Sequence, residues 1–148
     1  MHHLMERAAI VVPNCNWTGS EADLLVVTRD QRLIDIEIKV DRSDFKADGT
    51  KSKWQSRYPR RQPKEGTWSD TDFRKLWPEK VWKHYYVVPA SIWDDSLLEF
   101  VSPASGIILI DEHEPLRAYS HMRVRRHAKP QRAAPKITEQ QAMDIGRL

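Results

Sequence analysis

The chain has 148 residues, which is enough for one domain with a hydrophobic core and too short to expect two. Hydrophobic residues make up 40% and charged residues 30%, and the longest apolar runs are only strand-sized, so no membrane-spanning helix is expected. A single cysteine, Cys15, excludes an internal disulfide and a zinc site built from several cysteines, and we expect it to be a buried apolar residue. The first fifteen residues lack the apolar stretch of a signal peptide, so a cytoplasmic location is expected.

The first half of the chain predicts three strands and a helix. Residues 8–13 form a short strand rich in Val and Ile, and residues 23–28 and 33–40 form a hairpin across the polar turn 29–32. Asp41 or Ser43 then caps a helix that ends near Gly49.

The second half predicts a crossover and a C-terminal segment. Its predicted elements are a helix at 69–77, a strand at 84–89, a helix at 91–101, a strand at 106–110, an edge strand at 116–124 and a capped helix from 138. A strand, helix and strand at this spacing indicate a parallel pair. The prediction is an α/β (α+β) domain, a mixed β-sheet core flanked by helices, over residues 1–122 with a basic insertion at about 49–68. Residues 123–148 are predicted as a basic tail with a short terminal helix, in which residues 129–136 are unstructured.

The net charge is only +3, but the positive residues are clustered. Residues 51–64 carry six cations and no acid, and a second basic cluster spans residues 123–132. Both clusters suit contact with a phosphate backbone, and each one alone is as typical of a solvated basic loop.

The third strand carries an unusual row of charges. Alternate residues of a strand lie on one face, about 6.6–6.8 Å apart, so Asp35, Glu37 and Lys39 share a face and the aliphatic residues between them form a core face. The partner strand is apolar on both faces, which indicates a covered strand. Half-buried carboxylates need partners, and a divalent cation is one of them.

Asp23, on the partner strand, can complete this site only if the turn has the correct length. A connection with an odd number of unpaired residues, or a bulge, places Asp23 opposite Glu37 or Lys39. A two-residue turn would place it opposite Ile38, on the wrong face. The site hypothesis therefore predicts an odd connection or a bulge.

Two carboxylates beside a lysine suit phosphodiester hydrolysis. The carboxylates hold Mg²⁺ or Mn²⁺, the metal lowers the pKa of a bound water, and the lysine orients that water or offsets developing charge. Hard oxygen ligands without cysteine favour these ions over zinc. A Glu-x-Lys pattern alone is weak, because Glu and Lys alternate on many solvated strands.

At these residues the sequence resembles the PD-(D/E)xK nuclease superfamily, which has the restriction-endonuclease-like fold. The motifs are EADLLVV, IEIKV and HYYVVP with GIILI, within roughly residues 6–111, and they are more narrowly similar to MmcB-like and phage-encoded members. The resemblance implies a metal-dependent nuclease acting on DNA. It assigns the metal-binding acids to Asp23 and Glu37, the catalytic lysine to Lys39, and a further acid to Glu6, with Glu21 as its substitute.

Other residues have weaker assignments. Asp35 is expected to border the site in a solvated or supporting role; Ser43 caps a helix or contacts phosphate, and His84 faces the site or lies on the surface. Trp54 and Tyr58 either stack on unpaired bases or pack into the domain. The expected nucleic-acid contacts are Lys51, Lys53, Arg57, Arg60, Arg61 and Lys64.

Three functions remain open from the sequence. The first is the nuclease, with DNA as partner, and as a homodimer if it cuts both strands. The second is a nucleic-acid-binding or partner-binding module that keeps the fold without turnover. The third is a phage regulatory protein that blocks a host enzyme.

Overall fold

The structure, a computed structural model, describes residues 7–49, 79–111 and 121–147. The strands in these ranges are β1 (Ala8–Cys15), β2 (Ala22–Thr28), β3 (Leu33–Ile38), β4 (Val81–Pro89), β5 (Gly106–Ile110) and β6 (Met122–Arg126). The helices are α1 (Arg42–Asp48), α2 (Glu139–Ile145) and two short 3₁₀ helices, Ala90–Ile92 and Asp95–Phe100. The protein is therefore a mixed α/β fold, as the sequence predicted.

The six strands form one sheet in the order β1-β2-β3-β4-β5-β6. β1, β2 and β3 are antiparallel neighbours, β3, β4 and β5 are parallel neighbours, and β6 pairs antiparallel with β5. The predicted hairpin and the predicted parallel crossover are both confirmed. β1 continues past Pro13 to Cys15, which an edge strand tolerates because a proline there need not donate to a further strand.

The predicted cap of α1 is confirmed. The Asp41 side chain accepts a hydrogen bond of 2.8 Å from the backbone N–H of Asp44, and Gly49 follows the last helical residue. This short helix packs Phe45, which is fully buried, against the parallel strands. α1 therefore covers the sheet beside the end of β3.

The predicted α-helix at residues 91–101 is wrong, since two 3₁₀ helices stand there. Trp93 and Asp94 between them are extended, and the Asp94 side chain accepts from the backbone N–H of Ser96. A carboxylate that caps in the middle of the segment competes with continuous helical hydrogen bonding. The predicted helix at 69–77 lies outside the described residues.

The C-terminal segment belongs to the domain, so the predicted boundary after residue 122 does not separate a tail. It falls inside β6, and beyond that strand Ala128, Ala134 and Ile137 are buried although no helix or strand holds them. The backbone N–H of Ile137 donates to the carbonyl of Gln31 at 2.9 Å. α2 has the predicted capping box at Thr138.

One face of the sheet carries two apolar clusters. The first lies over β4 and β5 under α1, and includes Phe45, Val88, Leu97, Ile107 and Leu109. The second lies over β1, β2 and the start of β3, next to α2, and includes Cys15, Leu25, Val27, Leu33 and Ile145. The opposite face has its own cluster, which includes Val26, Ile34, Ile36, Tyr85 and Ile108. The buried position of Cys15 was expected.

Candidate active site

The connection between β2 and β3 has the odd length that the site hypothesis requires. The strand pairs run from Leu24 opposite Ile36 to Val27 opposite Leu33. At the closed end, Thr28 N–H donates to the carbonyl of Arg32 at 2.9 Å, which leaves residues 29–31 as the turn. The left-handed backbone of Gln31, at φ 63°, completes this three-residue loop.

The last pair of the hairpin ladder is Leu24 with Ile36, and continuing its register by one residue sets Asp23 opposite Glu37. Residues opposite each other in an antiparallel pair share a face, so this register assigns Asp23 to the face that also carries Asp35. The Asp23 carboxylate accepts a hydrogen bond of 2.6 Å from the backbone N–H of Ile38. Asp23 is thus held against β3 where the sequence placed it.

Asp35, Glu37 and His84 form a compact buried group. One ligand atom from each residue lies within 4.8 Å of the others, and all three residues are at most 3% exposed. Asp35 and His84 are direct partners in the parallel pairing of β3 with β4. His84 Nδ1 lies 3.0 Å from Ser105 Oγ, and the imidazole meets the Tyr86 ring edge-on at 4.7 Å.

Lys39 lies among acidic side chains. Within the described part of the chain, its Nζ is 3.4 Å from Glu37 Oε2, 3.5 Å from Asp44 Oδ2 and 3.3 Å from Asp48 Oδ1. Burial alone would lower the pKa of Lys39, but the charges of Asp48, Glu37 and Asp44 outweigh it and raise the pKa above the ordinary 10.5. Lys39 is therefore an ammonium ion at neutral pH.

Asp48 joins this network from α1 and was not predicted from the sequence. It is fully buried, and its Oδ2 accepts a hydrogen bond of 2.5 Å from the Tyr86 hydroxyl. Burial first, and then the Asp48 charge, raise the pKa of Tyr86 well above 10.0. The signal in the sequence was the spacing of Asp44 and Asp48, four residues apart on a capped helix, which places both on one helical face.

Comparison with known proteins bears on the fold alone. No protein-family model and no curated protein matches the chain. A solved structure does match. It is SPO1766, a protein of unknown function from Silicibacter pomeroyi, with 19% sequence identity, a TM-score of 0.53, and coverage of 97% of this chain and 82% of that chain. No helix in the described ranges is long and apolar enough to cross a membrane.

The structure corrects two expectations about β3. Of the two roles expected for Asp35, solvated or supporting, the solvated one is wrong, because this residue is 1% exposed on the covered face of the sheet. The aliphatic face was also expected to be core throughout, but Ile38 is 43% and Val40 68% exposed. The aliphatic face is therefore covered over most of the strand and becomes exposed at its C-terminal end, at Ile38 and Val40.

The other predicted residues divide into two groups. Glu21 is exposed, Ser43 is exposed and donates to the Asp41 carboxylate at 2.5 Å, and His84 is fully buried beside Asp35 and not on the surface. Glu6, Trp54, Tyr58 and the expected nucleic-acid contacts lie outside the described residues, the latter being Lys51, Lys53, Arg57, Arg60, Arg61 and Lys64.

The second basic cluster is partly used within the fold. Arg126 donates to the carbonyls of Ser105 and Ser102, each at 2.9 Å. Arg125 forms a two-bonded ion pair with Asp95 on the surface. Arg123 and Arg132 are exposed and remain suited to phosphate contacts.

Proposed function

We propose that the protein is a cytoplasmic, divalent-metal-dependent nuclease that hydrolyses phosphodiester bonds in DNA. The observation that carries this proposal is the hydrogen bond that the Asp23 carboxylate accepts from the backbone N–H of Ile38, the residue between Glu37 and Lys39. This arrangement agrees with the roles that the sequence motifs imply for these three residues.

The donor set fits a hard divalent cation. Carboxylates from neighbouring strands are typical ligands of Mg²⁺ and Mn²⁺, and Asp23 and Glu37 would hold the ion. When bound, the ion would polarise the phosphate and make a water more acidic.

Lys39 acts as a cation in this proposal. Its raised pKa keeps it protonated, so it cannot accept a proton from the attacking water near neutral pH. An ammonium beside Glu37 can donate a hydrogen bond to that water or to a phosphate oxygen and offset developing negative charge. Asp44 and Asp48 orient Lys39 for this role.

The test is DNA cleavage in the presence of Mg²⁺ or Mn²⁺, with single-stranded and double-stranded substrates and with RNA for comparison. Lys39→Ala should reduce the cleavage rate by about 10²–10³-fold, the usual cost of removing a group that stabilises developing charge, and Glu37→Ala should reduce it because a metal ligand is lost. Lys136→Ala and Glu99→Ala, which alter exposed residues of the same types, serve as controls. Wild-type protein that cleaves none of these substrates with either metal would refute the proposal.

The burial of Glu37 and Lys39 favours a second function, which is the binding of nucleic acid without turnover. Glu37 and Lys39 are each 3% exposed, and Lys39 already faces acids that offset its charge. This function predicts DNA binding that weakens steeply with salt, is unchanged in Glu37→Ala, and is accompanied by no cleavage.

A further inference from the structure

The geometry points to a mixed nitrogen and oxygen site for a transition-metal ion, formed by Asp35, Glu37 and His84 and filled by Mn²⁺ in preference to Mg²⁺. This inference deepens the proposed function and rests on it at one residue, Glu37. The proposed function and the inference both assign Glu37 as a metal ligand. It adds two ligands, Asp35 and His84, that the sequence motifs do not supply.

The first argument is the position of the three side chains. Their ligand atoms lie within 4.8 Å of one another, close enough for one ion to contact all three. The sheet fixes this arrangement, because Asp35 and Glu37 are alternate residues of β3 and His84 is the β4 partner of Asp35. Little reorganisation is then needed for an ion to bind.

The second argument is charge. Glu37, Asp44 and Asp48 all have an ion pair with the same side chain, Lys39. Asp35 adds a fourth acid next to Glu37 on a covered sheet face. Acidic side chains gathered on one face attract a cation, and their oxygens are ligands that suit a divalent ion.

The third argument is the chemistry of the histidine. Imidazole nitrogen binds transition-metal ions, Mn²⁺ the most weakly among them, and is a poor ligand for Mg²⁺, which prefers oxygen and retains its waters. His84 Nδ1 is 3.0 Å from Ser105 Oγ, so coordination would use the other ring nitrogen, Nε2. A hydrogen bond on the far nitrogen is the usual means by which proteins orient a metal-binding histidine.

The experiment uses the full chain and Mn²⁺ alone, with no substrate. Pulsed EPR of the bound ion should show hyperfine coupling to an imidazole nitrogen, and titration of the free Mn²⁺ signal gives the affinity. His84→Gln should abolish the nitrogen coupling and weaken Mn²⁺ binding. Ser105→Ala should keep the coupling and weaken binding by about 10–100-fold. The exposed histidine variant His127→Gln should change neither quantity.

Wild-type protein alone can overturn the inference, so the result does not depend on how well the buried variants fold. Bound Mn²⁺ without nitrogen coupling, or no bound Mn²⁺ at millimolar concentration, would reject it. Asp23→Ala separates it from the proposed function, since cleavage should be lost while the nitrogen coupling persists. Cleavage by wild-type protein without nitrogen coupling would refute this inference and leave the nuclease standing; nitrogen-coupled Mn²⁺ without cleavage would do the reverse.

Discussion

The Lys39 ammonium lies 3.3 Å from Asp48 Oδ1, a contact between the residue after β3 and the last residue of α1. The other oxygen of the same carboxylate accepts the Tyr86 hydroxyl. Asp48 therefore connects the lysine of the proposed active site to the central parallel strand β4, and the docking of α1 determines where that lysine points.

Removing the Asp48 charge should destabilise the protein. We expect Asp48→Asn to lower the free energy of unfolding by about 3 kcal/mol, the lower end for a broken buried ion pair, because Glu37 and Asp44 remain beside Lys39. Urea unfolding measures this. Asp44→Asn is the matched control, since Asp44 is on the same helix and contacts the same lysine, but its side chain is 44% exposed and should contribute about 1 kcal/mol or less. Equal losses in the two variants would contradict the role given to Asp48.

The free energy of unfolding should fall at alkaline pH because the Tyr86 phenol ionises. Its pKa in the folded protein is well above 10.0, while the unfolded chain ionises at the ordinary value. The contribution of the neutral phenol is therefore complete below pH 10.0 and is lost as the pH rises beyond it. Unfolding measured between about pH 9 and pH 11 should show a smaller alkaline loss in Tyr86→Phe than in wild type. Burial also raises the pKa of Tyr85, but Tyr85 contributes equally to the alkaline loss of stability in both proteins. Identical pH profiles of the two proteins would therefore argue against the assignment to Tyr86.

The turn residue Gln31 carries backbone strain that glycine would relieve. Its φ of 63° costs an L-residue energy that glycine does not incur, although glycine loses more entropy on folding. Gln31→Gly should raise the free energy of unfolding by about 0.5–1 kcal/mol. Asp30→Gly, at the neighbouring turn position without a positive φ, should lower it. Thermal unfolding of both variants checks the difference in sign.

Gly106, at the start of β5, should not tolerate a methyl group. A Cβ there would overlap the Tyr85 ring and stand 2.8 Å from the backbone nitrogen of Ala128. Gly106→Ala should cost about 1–3 kcal/mol, as overpacking of a core does. Gly146→Ala is the control, because no atom lies closer than 3.5 Å to the new Cβ, and its free energy of unfolding should be nearly unchanged. Urea unfolding of both variants therefore separates the effect of crowding from the effect of replacing a glycine.

Much of the sheet follows from local pattern. The alternation in β3, the apolar run in β2 and the polar turn between them predict the hairpin, and the cap at Asp41 predicts α1. The parity argument for Asp23 also succeeds, because it depends only on strand geometry and on one turn.

The rest depends on contacts between distant segments. A solvated role stayed open for Asp35 because nothing local in the sequence shows that its face of the sheet is covered. His84 was assigned a weak role because its partner in the parallel pairing, Asp35, is 49 residues away, and a parallel register leaves no local trace in the sequence. Asp48 was not predicted because its role depends on its ion pair with Lys39 and its hydrogen bond from Tyr86. Both partners come from other parts of the chain.

The number of residues in the turn between Thr28 and Arg32 determines on which face of the sheet the acidic residues of β2 and β3 lie. Side chains alternate along a strand with a period of two, so adding or deleting one residue in that connection would turn Asp35 and Glu37 to the opposite side of the sheet or carry Asp23 away from them. Adding two residues would leave Asp35 and Glu37 on their present side of the sheet. Length variation at this point should therefore occur in even steps, and a sequence alone is enough to look for it.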